Sequence, residues 1–396
     1  MEAANERQYY VDWVRVFAFF LLIFFHCAMP FVVYGWEIKN TDQSIGLSRF
    51  IWWLHQWRLP LLFFISGAGI SFSLKRRSVI SFAGERFVRL FIPLVFAMLF
   101  IIPLQVYYEW MQKGKYHGSY GSFYPSVWKF IPYPDGSLTW SHMWFVVYLF
   151  VYCILLLPVF SLFKINALDK LKQRVSSALS NPVMLVLLSL PLILYFFTLY
   201  IKYPEQQSLL EDWFLFLFSL TLVFYGYFLA GNKQFWITCE RYRKYYLLIG
   251  MTCIVLLYYF YWWRSELPKK QDGRLYWYGV LNSLHIWTLI LAILGFAKKH
   301  LNFSNSFLKY CTKAVYPYYI LHQTVIVAFG YYIVQWQLPI IIKMVLLVLI
   351  CFIIVGVIYH YIIRPFKLTR ILFGVKLTDK NERRSNVFQE KASAPA

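Results

Sequence analysis

Arg15 and His26 are the first residues in this 396-residue chain whose types and spacing suggest joint chemistry. Eleven positions separate them. At about 100° per residue the two side chains return to one helix face, roughly 16 Å apart along the axis. Both lie in an apolar run, where an ionisable side chain is costly and marks a functional site by default. An arginine there can hold an anion, and a neutral imidazole in a low-dielectric setting can take a proton. Each also has a plainer use: Arg15 as an anchor reaching for the cytoplasmic interface, His26 as a structural hydrogen-bonder. Asp12 is ~21 Å of helix rise from His26, too far to orient it, and Cys27 points about 100° away, which speaks against a relay nucleophile.

Arg86 and Arg89 form a second pair, at i and i+3 on one helix face. Two guanidiniums near a helix end can clamp phosphate oxygens bidentately. The same charges also suit a cytoplasmic loop with no ligand at all. Further along, Ser141-His142-Met143-Trp144 opens an apolar stretch, Asn282 and His285 lie inside another, and His322 falls in YPYYILHQTV. Any one of these histidines is readily a packed, hydrogen-bonded core residue; at least five of eight lie in or beside apolar stretches. Walker A, GxGxxG, HExxH and EF-hand patterns are absent, and no His is followed by Asp five positions later. Ser66-Gly67-Ala68-Gly69 lacks the G-x-S-x-G spacing of a nucleophile elbow and suits a close helix approach or a break.

The elements that must position these groups follow from composition. Hydrophobic residues make up 60% and charged residues 14%, with mean hydropathy +0.52. Soluble domains carry roughly 25% charged residues, so an all-α integral membrane protein is expected. Ten apolar spans are predicted, at about 9–34, 50–74, 87–108, 142–163, 183–202, 212–231, 245–263, 276–297, 314–334 and 338–363. Residues 1–364 then form one transmembrane domain, and 365–396 a basic, disordered cytoplasmic tail. The first span carries Asp12, Arg15 and His26 and is followed by no A-x-A site, unlike a signal peptide.

The net charge of +21 lies mostly in loops, without any nucleic-acid-binding pattern. One alternating set of loops carries 26 Lys and Arg, the other 10, which predicts that both termini are cytoplasmic. The basic stretch Arg264–Arg274 opposes that trend. The longest loop of the outer set, about 109–141, is rich in Tyr, Trp, Gly and Pro. Its flat rings fit either an interfacial aromatic belt or a sugar-contacting surface. The six cysteines form no CxxC and sit among apolar residues, so neither a metal nor a disulfide is expected.

The ordered set of segments YYVDWVRVFAFFLLIFFHC, LPLLFFISGAGISF, Arg86-x-x-Arg89 followed by IPL, HMWFVVYLFVY and YPYYILHQ resembles the membrane-bound acyltransferase 3 family. In that family an Arg and a His lie eleven residues apart in the first span, matched here by Arg15 and His26. The likeness extends over nearly the whole chain. His55 to Pro60 and HMWF lean toward the glucan-biosynthesis branch, which modifies periplasmic glucans. Two departures stand out: Val16 follows Arg15 where many members have Gly, and no fused SGNH hydrolase-like domain follows.

The resemblance implies a multi-pass enzyme of the bacterial inner membrane. It implies transfer of an acyl group, acetyl or succinyl, from cytoplasmic acyl-CoA to a hydroxyl of an extracytoplasmic carbohydrate. His26 is then the general base and Arg15 a second catalytic residue, acting through donor placement or charge stabilisation; Arg86 and Arg89 hold the donor, and His142, Trp144 and His322 meet the acceptor. Its partners are acyl-CoA, the glycan and the bilayer, with no metal or nucleic acid; a separate extracytoplasmic enzyme is a further expected partner. A transporter or flippase would use similar intramembrane groups, though inverted repeats are not evident. Another membrane O-acyltransferase arrangement would pair Asn282 or His285 with His322.

Overall fold

The computed structural model describes residues 7–75, 77–163, 169–263 and 273–377. Among them the chain is helical, and its one isolated bridge joins Pro132 to Leu138. The principal helices are α1 (Tyr9–Ala28), α2 (Ile45–Leu74), α3 (Val79–Gln112), α4 (Trp144–Leu155) and α5 (Pro182–Tyr200). They continue as α6 (Trp213–Ala230), α7 (Lys233–Trp262), α8 (Arg274–His300), α9 (Ser306–Ile333) and α10 (Ile340–Ile363).

Eight helices among the described residues are long and apolar enough to cross a membrane: all of these except α4 and α9. Ten were expected. Ser141–Leu155 is apolar but shorter. The 28 residues of α9 are instead diluted by Lys309, Lys313, His322, Gln323 and Thr324. Beyond Arg364, Lys367–Leu372 is helical; the tail after residue 377 and most of the basic stretch 264–274 lie outside the described residues.

Helix starts follow the sequence. Ser44, Asn232 and Asn305 each accept a backbone N–H of the first turn, at 3.2 Å from Leu47, 2.8 Å from Gln234 and 2.8 Å from Leu308. Packing around the small residues of α2 is closer still. A Cβ on Gly67 would lie 2.0 Å from the Val223 carbonyl oxygen, and one on Gly226 would lie 1.9 Å from that of Phe64. The backbones of α2 and α6 thus touch, and the Ser66–Gly69 segment is a continuous helix, a close approach and not a break. α1 packs between α2, α8, α9 and α10, so its polar residues face protein on most sides.

Two ends of the bundle are recognisable from contacts between loops. At one, Trp13 donates to Phe303 O at 3.0 Å, and Arg89 to Gly374 O at 3.2 Å. At the other, the loop after α1 is clamped by two lysines. Lys39 Nζ donates to Met29 O at 3.1 Å and Tyr34 O at 2.9 Å, and also to Val32 O. Buried Lys343, from α10, donates to Asn40 Oδ1 at 2.7 Å and Val334 O at 3.0 Å. Orphan carbonyls beyond the end of α1 are thereby satisfied.

Candidate active site

His26 sits near the end of α1 and lines a cavity of about 890 Å³ at the loop-clamped end of the bundle. The directions of its hydrogen bonds can be worked out. His322 Nδ1 lies 2.6 Å from the carbonyl oxygen of Tyr319, which can only accept. His322 Nδ1 therefore carries a proton, and in the neutral ring Nε2 is left as an acceptor. That Nε2 lies 2.9 Å from His26 Nδ1, so His26 donates there. The proton-free nitrogen of His26 is then Nε2. One buried backbone carbonyl fixes two tautomers in series.

His142 is held in the same way. Its Nε2 donates to the Ile320 carbonyl at 3.2 Å, and its Nδ1 accepts from Gln105 Nε2 at 3.3 Å. His142 and Trp144 both line the cavity, while His322 stands behind His26. The rings of Trp36 and His26 are stacked 6.3 Å apart. Of the aromatic 109–141 loop, Tyr133 and Trp140 reach the cavity, whereas Tyr116 and Phe123 pack on each other and on Tyr107 of α3.

Arg58 is 1% exposed and lines the same cavity. Its guanidinium lies 3.6 Å from the centroid of the Phe25 ring, next to His26 in sequence, and its charge is within reach of His26. Its Nε and Nη1 have no hydrogen-bond partner among the described residues. Buried donors left unpaired cost about 1–3 kcal/mol each, more on a charged group, so this position favours a ligand that accepts. The sequence placed Arg58 in the second span, three positions after His55, without giving it a role.

Glu37, in the clamped loop, also lines the cavity. Burial pushes its carboxyl up to about 7, against hydrogen bonds from Gln323 Nε2 at 2.7 Å and Ser141 Oγ at 3.1 Å. Burial likewise brings the Lys39 ammonium down to about 8.

Arg15, Arg86 and Arg89 gather at the opposite end. Arg15 meets Asp12 at 3.4 Å, lies against Gly69, and is within electrostatic reach of Arg89. Glu85 joins the pair: it accepts from Arg89 at 3.2 Å and from Arg77, and stands 3.7 Å from Arg86. The guanidiniums are thus partly neutralised by an acid between them. The charges of Arg86 and Arg89 also reach Tyr316. From there α9 presents Tyr316, Tyr319 and His322 at three-residue intervals, their rings stacked at 6.3 and 5.8 Å. One helix face therefore connects the arginine cluster with the imidazole pair.

Asn282 and His285 belong to neither group. His285 accepts from Trp53 Nε1 at 3.1 Å and donates to Gly250 O at 2.9 Å; Asn282 donates to Gln56 at 2.9 Å. Both ring nitrogens of His285 are thus occupied, and neither His285 nor Asn282 lines the cavity of His26, although Asn282 Oδ1 has no partner among the described residues. Cys27 is fully buried. Among the described residues, no group of three or more His, Cys, Asp or Glu is placed to hold a metal ion.

Sequence comparison adds a family to this geometry. The acyltransferase 3 model, described as an acyltransferase domain, matches residues 8–362. Glucans biosynthesis protein C from Escherichia coli O139:H28 is 24% identical over 338 residues, covering 83% of this chain and 84% of that protein. The proteins of that name from Shigella dysenteriae serotype 1 and E. coli K12 match to the same extent. No solved structure matches the chain. The match across nearly the whole helical bundle decides against a transporter: the chain belongs to the acyltransferase 3 family and is an acyltransferase.

Proposed function

We propose that this membrane acyltransferase moves an acyl group from cytoplasmic acyl-CoA to a hydroxyl of an extracytoplasmic carbohydrate, with His26 as general base. The observation that carries the reading is the one-way hydrogen-bond series from His26 to His322 to the Tyr319 carbonyl. It leaves the proton-free Nε2 of His26 in a cavity lined by aromatic rings. His322, expected from sequence to touch substrate, acts instead through His26 as a positioning residue. His142 and Trp144 remain on the acceptor side.

In the reaction, Nε2 of His26 takes the proton as the sugar oxygen attacks the thioester carbonyl. The carbonyl oxygen gains negative charge, and the unpaired N–H groups of Arg58 stabilise it. The C–S bond then breaks, and the departing CoA thiolate receives the proton held on His26. The donor's phosphates bind Arg86 and Arg89, with Arg15 beside them, and its pantetheine arm runs along the Tyr316–Tyr319–His322 face. This needs the arginine end of the bundle in the cytoplasm, hence both termini inside. It also needs α4 and α9 to cross the membrane, for ten crossings of the bacterial inner membrane. The name of the relatives, glucans biosynthesis protein C, favours a glucan acceptor, and acetyl or succinyl is the expected acyl group.

The test uses purified protein, radiolabelled acetyl- or succinyl-CoA and a gluco-oligosaccharide. Label transferred to the sugar supports the reading, and an intact thioester with every acceptor overturns it. A cysteine introduced between residues 113 and 135 should react with an impermeant reagent from outside. Reaction only after permeabilisation would reverse the orientation.

A further inference from the structure

Two buried acceptor atoms beside His26 lack donors. Above about pH 7 the Glu37 carboxyl is ionised and can only accept, so Gln323 must present its NH₂ group to Oε1, as it does at 2.7 Å. That orientation turns the amide carbonyl of Gln323 elsewhere. Gln323 is 3% exposed and lines the cavity with Glu37. Glu37 Oε1 already has Gln323 and Ser141 as donors, the latter at 3.1 Å. Glu37 Oε2 and Gln323 Oε1 have no hydrogen-bond partner among the described residues.

A ligand satisfying both atoms must bring donors. A second carboxylate, Glu109, is within electrostatic reach of Glu37; it accepts from Lys113 at 2.5 Å and Tyr133 at 2.8 Å. An anionic group placed against this pair would meet repulsion from Glu37 and Glu109 and supply no donors. A polyol brings O–H groups with no charge. The pair is also close to the imidazoles along the chain: Gln323 follows His322, and Glu37 follows Trp36, whose ring is stacked on His26.

We propose that Glu37 and Gln323 form the acceptor subsite of this cavity, holding a neutral polyol by two of its hydroxyls. A third hydroxyl is thereby presented to Nε2 of His26. This rests on the acyl-transfer reading for the identity of the reacting hydroxyl, but the subsite itself is a matter of binding and is separable from it.

Binding is therefore measured directly, by the fluorescence change of the cavity tryptophans in the purified full chain. The probes are a gluco-oligosaccharide, its per-O-methylated form, and an oligosaccharide of matched length containing glucuronic acid. Wild type should bind the first and discriminate against the other two. Glu37→Gln keeps the shape of residue 37 but turns one acceptor into a donor. It should weaken binding of the hydroxylated probe about 10- to 100-fold, the scale of a hydrogen bond to a charged group, with CoA affinity unchanged. Gln323→Met, similar in volume, should weaken it in the same direction and narrow the preference over the methylated probe.

Equal binding of the hydroxylated and methylated probes by wild type overturns the subsite. So does no binding of the hydroxylated probe, or unchanged affinity in both variants. If either variant is poorly folded, the wild-type probe comparison still decides. Where transfer is detectable, the variants should raise the acceptor KM more than they lower kcat. Binding as expected without any transfer would leave the subsite standing and overturn the catalytic reading alone.

Discussion

The Nδ1 of His26 lies 2.9 Å from the Nε2 of His322, 296 residues further along the chain. Because His322 is itself committed to the Tyr319 carbonyl at 2.6 Å, only one arrangement of protons satisfies both contacts with neutral rings. In the proposed mechanism, carbonyl and second imidazole together would serve the orienting purpose that a carboxylate serves in a Ser-His-Asp triad. They would do so without placing a negative charge in the bundle.

His26→Ala should lower kcat by about 10²–10⁴-fold, the contribution of general base catalysis, with CoA affinity and folded yield near normal. Gln should not rescue it, since an amide bonds but takes no proton at neutral pH. His322→Gln keeps an acceptor for the His26 Nδ1–H and should retain more activity than His322→Ala. An active His26→Gln enzyme at normal yield would remove His26 from the mechanism.

Arg86→Ala should weaken CoA binding by roughly 10- to 100-fold, from the loss of one charge-assisted contact. Arg86→Lys should restore only part, lacking the planar fork. Arg89→Ala should add a loss of folded yield, because Arg89 also holds the Gly374 carbonyl. Calorimetric titration with CoA separates the two effects. Unchanged affinity in both variants would leave these arginines as interfacial charge.

Arg58→Lys should reduce kcat by about 10²–10³-fold, comparable to losing an oxyanion donor, while acyl-CoA binding holds. The ammonium keeps the charge but not the Nε and Nη1 directions. A variant with wild-type kcat would show that Arg58 serves packing on Phe25 instead.

Glu37 gives a pH dependence of stability with a definite sign. Its folded carboxyl, at about 7, lies above the ordinary value of 4.5. The folded state therefore holds this proton more tightly than the unfolded state. The stability it contributes is complete below about pH 4.5 and is lost as pH rises through about 7. The melting temperature of wild type relative to Glu37→Gln should fall across that window and level off above it. Glu109 and Lys113, the charged groups facing it, are present in both proteins. A constant difference from pH 4.5 to 8 would contradict the placement of Glu37.

Much of the helical framework was legible in the sequence. Periodicity and apolar length marked most of the helices, and the eleven-residue interval singled out Arg15 and His26, which the fold places in separate clusters. Where the sequence stopped short, the reason was tertiary. His322 read as one more membrane histidine because its partner comes from the other end of the chain. Arg58 was visible as an arginine in a span, but its unpaired N–H groups become apparent only once α1 is packed beside it. Glu37 left no signal: a loop carboxylate is ordinarily solvated, and burial here depends on a clamp built from Lys39 and Lys343. The count of spans was less secure because α9 trades apolarity for the side chains that serve the site.

The close approach of Gly67 to the Val223 carbonyl, and of Gly226 to that of Phe64, reaches further than local packing. A helix pair with carbonyl oxygens pressed where a methyl would sit can neither slide nor roll without collision. The stretch of α2 that lines the cavity, Ile51 through Leu59, is continuous with that seam. It behaves as the fixed jaw of a vice. Any widening of the mouth to admit a bulky chain then falls to the opposite jaw, the segment carrying Tyr133, Trp140 and Ser141. Enlarging the range of accepted substrates is accordingly a matter of altering that segment, and substitutions along the glycine seam would forfeit the fold first.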